Sequence, residues 1–273
     1  MRQQELRTLL AGLAVSASIG YNQTIADATA PRDSDRQMRD TLFRSGADRP
    51  NVAFGLIADP KPEFPADLLR RNVKSGYARI AVSVSETGML EDWIALEASE
   101  AAFEKAIDAV IWDWWFDPPV IDGEAEPVCN EIFLSFSPKL VETRALRRGE
   151  SISDRIEFLH RNHIQASPSK AVPKSVRVYR PTELDKPLRP THQERVVVPR
   201  SHLNSSLGSS VVFEFYIDAK GNVRIPSLQR IAGPVSEESL FAAQSALSQW
   251  KFEPPRVKGR KVTAKAAQRF TFD

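Results

Sequence analysis

The sequence predicts an α+β fold made of two small domains, in each of which one helix packs on a small antiparallel sheet. Two observations lead to this prediction: a motif that occurs twice, and the same order of strands and helix around each copy. The motif is Trp-x-Phe-x-Pro-Pro followed by a glycine, and the copies are 136 residues apart in a chain of 273 residues. The motif residues are Trp114, Phe116, Pro118 and Gly123 in the first copy and Trp250, Phe252, Pro254 and Gly259 in the second.

Each copy of a repeat is expected to be one folding unit with its own apolar core, so the repeat determines the predicted domain organisation. We expect a signal peptide or short anchor in residues 1–30, a mobile lead-in in residues 31–59 and a first repeat domain in residues 60–137. A basic, proline-rich linker with one helix is expected in residues 138–197, and a second repeat domain in residues 198–273.

The N-terminus carries an apolar run from Leu9 to Ile19, preceded by Arg2 and Arg7. About a dozen apolar or small residues match the core of a secretory signal, whereas a membrane-spanning helix needs about 20. The predicted destination is therefore the periplasm. The alternatives are an uncleaved segment that anchors the protein in the inner membrane and a cytosolic amphipathic helix.

The elements of the first repeat follow from its spacing and its turn residues. A short helix is predicted over residues 66–73, after a proline. Alternating apolar residues at 80, 82 and 84, a glycine turn and a return over 90–96 predict a β-hairpin. Apolar residues at steps of three and four from Phe103 to Trp114 predict an amphipathic helix, which two prolines end. Residues 130–136 predict a third strand.

The second repeat shows the same order. Alternation over residues 211–217, a turn over 218–221 and a return over 223–228 predict a hairpin, and an apolar stripe over 240–250 predicts a helix. Residues 269–272 predict the closing strand. Between the repeats, residues 137–198 contain six prolines and read as an extended spacer, with one helix predicted over 151–163.

The net charge of +2 conceals a division between the repeats. Residues 60–136 contain 6 basic and 15 acidic residues, residues 137–198 contain 13 and 7, and residues 199–273 contain 11 and 6. Three interpretations remain open, namely different surfaces for different partners, domains that attract each other, or ordinary drift between duplicated domains. Nucleic acid is not an expected partner, because the basic segments lack interleaved aromatic residues and known nucleic-acid motifs.

The sequence offers little for catalysis, so no enzymatic activity, cofactor or metal is predicted. His160 and His163 lie one helical turn apart, but no third metal ligand stands at a suitable spacing. No phosphate-binding loop, dinucleotide fingerprint or nucleophile elbow occurs. The aromatic residues of the repeated motif are expected in the core between helix and sheet rather than on a ligand platform.

The combined motifs resemble the C-terminal domain family of the TonB energy transducers. The first repeat matches through Phe64-Pro65, Gly76, Gly88, the Trp114 motif, Gly123 and Phe136, and the second through Pro199, the 211–221 hairpin, the Trp250 motif, Gly259 and residues 270–272. The second repeat has serine where Gly76 stands. Together the repeats cover a little over half of the chain.

The resemblance implies that each domain binds a short segment of an envelope protein, such as an outer-membrane transporter, by adding it as a strand at a sheet edge. The implied edge strands comprise Glu131, Ile132, Phe133, Leu134, Ser135 and Phe136 in the first repeat and Arg269, Phe270, Thr271 and Phe272 in the second. Transducers of this family have a longer membrane anchor with a histidine and only one such domain. An exported binding protein is therefore the leading hypothesis. A membrane-anchored transducer, an uncharacterised periplasmic enzyme and strand-swapped dimers remain alternatives.

Overall fold

The computed structural model describes residues 55–121, 124–145, 175–198 and 206–272. The first half contains β1 (Gly55–Ala58), α1 (Ala66–Arg70), β2 (Gly76–Val84), β3 (Leu90–Ala98), α2 (Ala101–Asp108), β4 (Trp115–Asp117), β5 (Val120–Ile121), β6 (Glu124–Ala125), β7 (Val128–Phe136) and β8 (Val141–Ala145). The second half contains β9 (Val176–Tyr179), β10 (Pro190–His192), β11 (Ser209–Ile217), β12 (Val223–Ala232), α3 (Glu237–Ser248), β13 (Lys251–Phe252), β14 (Arg256–Val257), β15 (Arg260–Lys261) and β16 (Thr263–Phe272).

Eight of these strands form one mixed sheet in the order β12-β11-β16-β9-β3-β2-β7-β8. Strand β9 joins the halves, because it pairs parallel with β16 through Val178 and Tyr179 and antiparallel with β3 through Val176 and Arg177. The predicted fold class of two small helix-on-sheet domains is therefore wrong. The described residues are 47% strand and 18% helical, and a strand from the predicted linker fuses the two sheets. This strand lies outside both predicted repeats, so the repeat pattern could not predict it.

Within each half, the predicted order of hairpin (β2–β3, β11–β12), helix (α2, α3) and long strand (β7, β16) is confirmed. A short strand that was not predicted (β4, β13) stands between the helix and the long strand. Helix α2 is shorter than the helix predicted from Phe103 to Trp114. It ends at Asp108, and a 3-10 turn, Ile111–Asp113, follows it. Parts of the predicted lead-in and linker also pair as strands, β1 with β4 and β10 with β13. Gly123 and the helix predicted over 151–163 lie outside the described residues.

The repeated tryptophans connect the core of each half to the segment before it. The Nε1 of Trp114 donates a hydrogen bond to the carbonyl oxygen of Pro60 at 3.0 Å, and the Nε1 of Trp250 donates to that of Glu194 at 2.9 Å. A buried indole needs such an acceptor for its N–H. The predicted burial of the motif aromatics is confirmed, since all four are at least 93% buried: Trp114, Phe116, Trp250 and Phe252.

The two hairpin turns depend on glycine because they touch the motif backbone. Gly88 has φ +82° and Gly221 has φ +91°, in the left-handed region. A Cβ atom on Gly88 would lie 2.3 Å from the carbonyl oxygen of Phe116, and one on Gly221 would lie 2.0 Å from that of Phe252. The same close approach allows a backbone hydrogen bond in each half. The amide of Phe116 donates to the carbonyl oxygen of Gly88 at 3.0 Å, and the amide of Phe252 donates to the carbonyl oxygen of Gly221 at 2.8 Å. Only glycine permits both the dihedral angle and the contact.

Each half has an apolar core between its helix and its part of the sheet. Phe103 and Ile107 of α2 are buried against the strands of the first half, and Ala243 and Leu247 of α3 against those of the second. These contacts come from the helical stripes that the sequence shows. They account for one face of each part of the sheet.

The opposite face of the sheet packs the two halves against each other. A third buried cluster comprises Ala81, Ile94 and Leu96 of the first half and Tyr216 and Ile225 of the second. At its margin, the Nε of Arg224 on β12 donates to the carboxylate of Asp92 on β3 at 2.8 Å, and its Nη2 donates to the carbonyl oxygen of Trp93 at 2.8 Å. Strands β2 and β3 are thus covered on both faces, by the helix of their own half and by the sheet of the other.

Candidate functional site

The histidines do not form a catalytic or metal centre in the described part of the chain. His192 is exposed and lies 3.6 Å from the carboxylate of Glu194, while His160, His163 and His202 fall outside the described residues. No group of three or more His, Cys, Asp or Glu residues that could hold a metal ion occurs among the described residues. Among the same residues, no helix has the length and apolar character to cross a bilayer.

The edge position expected for residues 131–136 is wrong, because β7 lies inside the sheet. Strand β2 pairs along one side of β7, and β8 pairs along the other from Ile132 with Ala145 to Phe136 with Val141. The chain reaches β8 by a tight turn, in which Ser137 and Leu140 exchange two backbone hydrogen bonds at 3.0 and 3.3 Å. Strand β8 comes from the predicted linker. The side of β7 that was expected to receive a partner strand is therefore already paired with β8.

The closing strand β16 is covered differently. Strand β11 pairs along one side of it from Ala264 to Phe272. On the other side, β9 is the only described strand that pairs with β16, and it does so only at Thr263 and Ala264. The stretch over residues 265–269 therefore has no described strand on its outer side. The structure thus places the predicted binding residue Arg269 in a stretch of β16 that has no described strand on its outer side.

The direction of the backbone groups on β16 follows from the antiparallel alternation. The amide of Gly208, just before β11, donates to the carbonyl oxygen of Phe272 at 2.7 Å, so the backbone of Phe272 faces β11. Because successive residues of a strand direct their N–H and C=O groups to opposite sides, those of Arg269, Ala267 and Lys265 face outward. The first repeat shows the same direction. The offset of 136 residues aligns Arg269 with Phe133, and the backbone groups of Phe133 face β8.

Side chains leave this outer side of β16 accessible but not bare. The Nε2 of Gln268 donates a hydrogen bond to the carbonyl oxygen of Arg269 at 2.7 Å and so occupies one outward acceptor. The side chain of Arg269 is exposed, and Lys265 forms an ion pair with Glu214 at 2.9 Å. A partner strand would meet outward N–H donors and positive charge, and it would displace a side-chain amide from one carbonyl.

The far edge of the sheet, β12, offers a poorer template for a partner strand. It contains Pro226, which has no N–H to donate, and the carbonyl oxygen of Pro226 accepts a hydrogen bond from Gln244 Nε2 of α3 at 2.9 Å. Ile225 beside it has φ +47°, and two shifts in register interrupt the pairing with β11. Irregularity, proline and covering side chains are the usual protections of an edge strand.

The sequence pattern alone missed β8 and β9, the strands that decide which edges are open. Residues 265–269 on the outer side of β16 form the candidate site. No family model matches the chain, and no curated protein is significantly similar to it.

Proposed function

We propose that this chain is an exported protein of the cell envelope that binds an extended segment of another envelope protein by strand addition along the outer side of β16. The observation that carries the proposal is the difference between the repeats: β8 pairs along β7, whereas β9 pairs with β16 only at Thr263 and Ala264. The segment after the first repeat supplies β8 as an added strand, whereas the equivalent stretch of the second repeat is left to a partner. Strand addition suits such a stretch because main-chain hydrogen bonds supply affinity without requiring one sequence.

The arrangement of β8 also suggests how the partner binds. Strand β8 runs antiparallel to β7, so an antiparallel segment is expected beside β16. The exposed Arg269 favours an acidic residue opposite it, a cross-strand pair that contributes about 0.2 to 1 kcal/mol. Export is supported by the apolar run from Leu9 to Ile19, and envelope partners are supported by the resemblance to the TonB C-terminal family.

The test is a titration of the isotope-labelled full chain with peptides from the periplasm-facing N-terminal segments of outer-membrane transporters, followed by backbone amide chemical shifts. Peptides that bind by strand addition are expected to shift the amides of Lys265, Ala267 and Arg269 and to leave those of Ile132 and Leu134 in place. An absence of shifts on β16 with every peptide would overturn the proposal.

Two substitutions at one position separate backbone from side-chain recognition. Arg269→Pro removes an outward N–H and is expected to abolish binding while the pairing with β11 persists. Arg269→Ala keeps that N–H and is expected to retain most of the affinity. Gln268→Ala frees the carbonyl oxygen of Arg269 and is expected to raise affinity several-fold. Equal loss with Pro and Ala at position 269 would show that the side chain, not strand addition, mediates binding.

A further inference from the structure

The hairpin formed by β14 and β15, residues 256–261, is the most basic exposed feature of the described chain. Its sequence is Arg-Val-Lys-Gly-Arg-Lys, and its four cationic side chains are all exposed: Arg256, Lys258, Arg260 and Lys261. No carboxylate of the described residues lies within ion-pair distance of Lys258, Arg260 or Lys261. We call this segment the basic hairpin.

The charges of the basic hairpin work against its own stability. Arg256 lies directly opposite Lys261 in the register, and like charges in cross-strand pairs are unfavourable. Lys258 has φ +51° and Gly259 has φ +76°, as in a two-residue turn that favours Asn-Gly or Asp-Gly. Lysine is a poor choice for the first of these positions. Local structure therefore does not explain the residues.

The first repeat shows what the same hairpin looks like without these charges. Strands β5 and β6 pair in the same register, and residues 120–125 read Val-Ile-Asp-Gly-Glu-Ala. The offset of 136 residues places Asp122 on Lys258 and Glu124 on Arg260. Where the second repeat has Lys258-Gly259, the sequence of the first has Asp-Gly, the pair that such a turn favours, and every other position of the second segment except Val257 and Gly259 is also basic. The charged ends of Lys258, Arg260 and Lys261 have no ion-pair partner among the described residues to offset this cost, and a local rule broken in this way indicates a functional site.

The basic hairpin is held in place by a residue outside it. The carboxylate of Asp185 accepts hydrogen bonds from the backbone N–H groups of Lys258 at 2.7 Å and Gly259 at 2.8 Å. The Nη1 of Arg256 donates to the carbonyl oxygen of Gly259 at 2.7 Å. These contacts fix the turn and leave the ends of Lys258, Arg260 and Lys261 in solvent.

The shape of this region favours an extended anionic surface over a small anion. The adjacent hollow of about 280 Å³ is lined by Asp185 and Glu253 as well as by Lys186 and Arg256, so two carboxylates face any anion that would enter it. Lys258, Arg260 and Lys261, which have no ion-pair partner among the described residues, instead project from the turn and from β15 of an exposed hairpin. Lipid phosphates spread over a plane suit such an arrangement, and each nearby cation adds to the attraction.

From these observations we infer that the basic hairpin docks the protein onto a membrane surface that carries anionic phospholipid headgroups. The inference is independent of strand addition on β16. It assigns different tasks to the two repeats at the same position of their fold. Docking is electrostatic, so it weakens as salt shortens the screening length from about 10 Å at 0.1 M to about 3 Å at 1 M.

The test is co-sedimentation of the full chain with vesicles of phosphatidylcholine mixed with an equal part of phosphatidylglycerol. The wild-type protein is expected to bind these vesicles at low salt, to dissociate from them at high salt, and not to co-sediment with vesicles of phosphatidylcholine alone. The variant Lys258→Asn/Arg260→Gln/Lys261→Gln is expected to bind roughly 100-fold more weakly. Asparagine suits the positive φ at position 258, so this variant is expected to keep its melting temperature.

A matched control removes the same charge elsewhere. Lys74, Lys105 and Lys139 are exposed on the first half, and their joint replacement by glutamine is expected to reduce binding far less. Failure of the wild-type protein to bind the mixed vesicles, or equal loss in both triple variants, would overturn the inference. Tighter binding to double-stranded DNA than to the vesicles would overturn it as well, in favour of a nucleic-acid surface.

Discussion

Breaking the ion pair between Arg224 and Asp92 tests the packing of one half on the other. The side chains are 29% and 25% exposed, and the contact includes two donor nitrogens of the guanidinium group and both carboxylate oxygens. The hydrogen bond to Asp92 is the main cause of a raised pKa for Arg224. Exposed pairs contribute about 0 to 1 kcal/mol, whereas breaking a buried pair costs about 3 to 5 kcal/mol. For a pair about three-quarters buried, we expect Asp92→Ala and Arg224→Met each to cost about 2 kcal/mol.

A double-mutant cycle isolates the interaction from other effects of each substitution. We expect the double variant to be less destabilised than the sum of the single variants by about 1.5 kcal/mol. The assay is urea unfolding followed by tryptophan fluorescence. The pair of Arg70 and Asp67 on α1 serves as control, because its side chains are 76% and 74% exposed, and its coupling is expected to be below about 0.5 kcal/mol. A similarly small coupling for Arg224 and Asp92 would refute the packing of β12 across β3.

Three further predictions concern single positions. Ile225 is 3% exposed and has φ +47°. Ile225→Ala is expected to lower the free energy of unfolding, measured in urea, by about 2 to 4 kcal/mol. Ile225→Gly is expected to lower it by no more than that, because glycine relieves the backbone strain. Gly221→Ala is expected to lower the stability by on the order of 3 kcal/mol. Gly259→Ala is expected to cost only the dihedral strain of about 1 kcal/mol, because its Cβ would meet no described atom within 4 Å. Thermal melts of both variants check this difference. Desolvation by burial and then the negative charge of Asp108 raise the pKa of Glu104 above its usual 4.5. The folded protein therefore loses stability as pH rises from 4.5 through the raised value and Glu104 ionises. Glu104→Gln is expected to raise the melting temperature at pH 7 but not at pH 3.

The repeat in the sequence predicted the order of elements within each half correctly. Periodicity marked the stripes that become the buried faces of α2 and α3, and the glycines at 88 and 221 marked the hairpin turns. Trp114 and Trp250 were expected in the core and lie there. These features depend on contacts between residues close in sequence or on local backbone geometry, which a single sequence displays.

The candidate site was only half accessible from the sequence. Strand β16 was expected to offer an edge, and residues 265–269 have no described strand on their outer side. Strand β7 was expected to offer the same edge, but β8 pairs along it. Whether a strand is an edge depends on what lies beside it. Short segments among prolines and charged residues, such as β8 and β9, have too weak an alternation of apolar and polar residues to predict a paired strand.

The sequence by itself determined the repeated unit, the apolar stripes of its cores, its glycine turns and the division of charge between the repeats. Only the tertiary structure decided that the two units share one sheet and that the opposite faces of their strands pack together through Tyr216 and Ile225. It also decided that β8, from the predicted linker, pairs along β7. The physical reason is that periodicity identifies an apolar face but not its partner. Both faces of β2 and β3 carry apolar residues, and the fold pairs one with a helix of the same repeat and the other with a sheet far away in sequence.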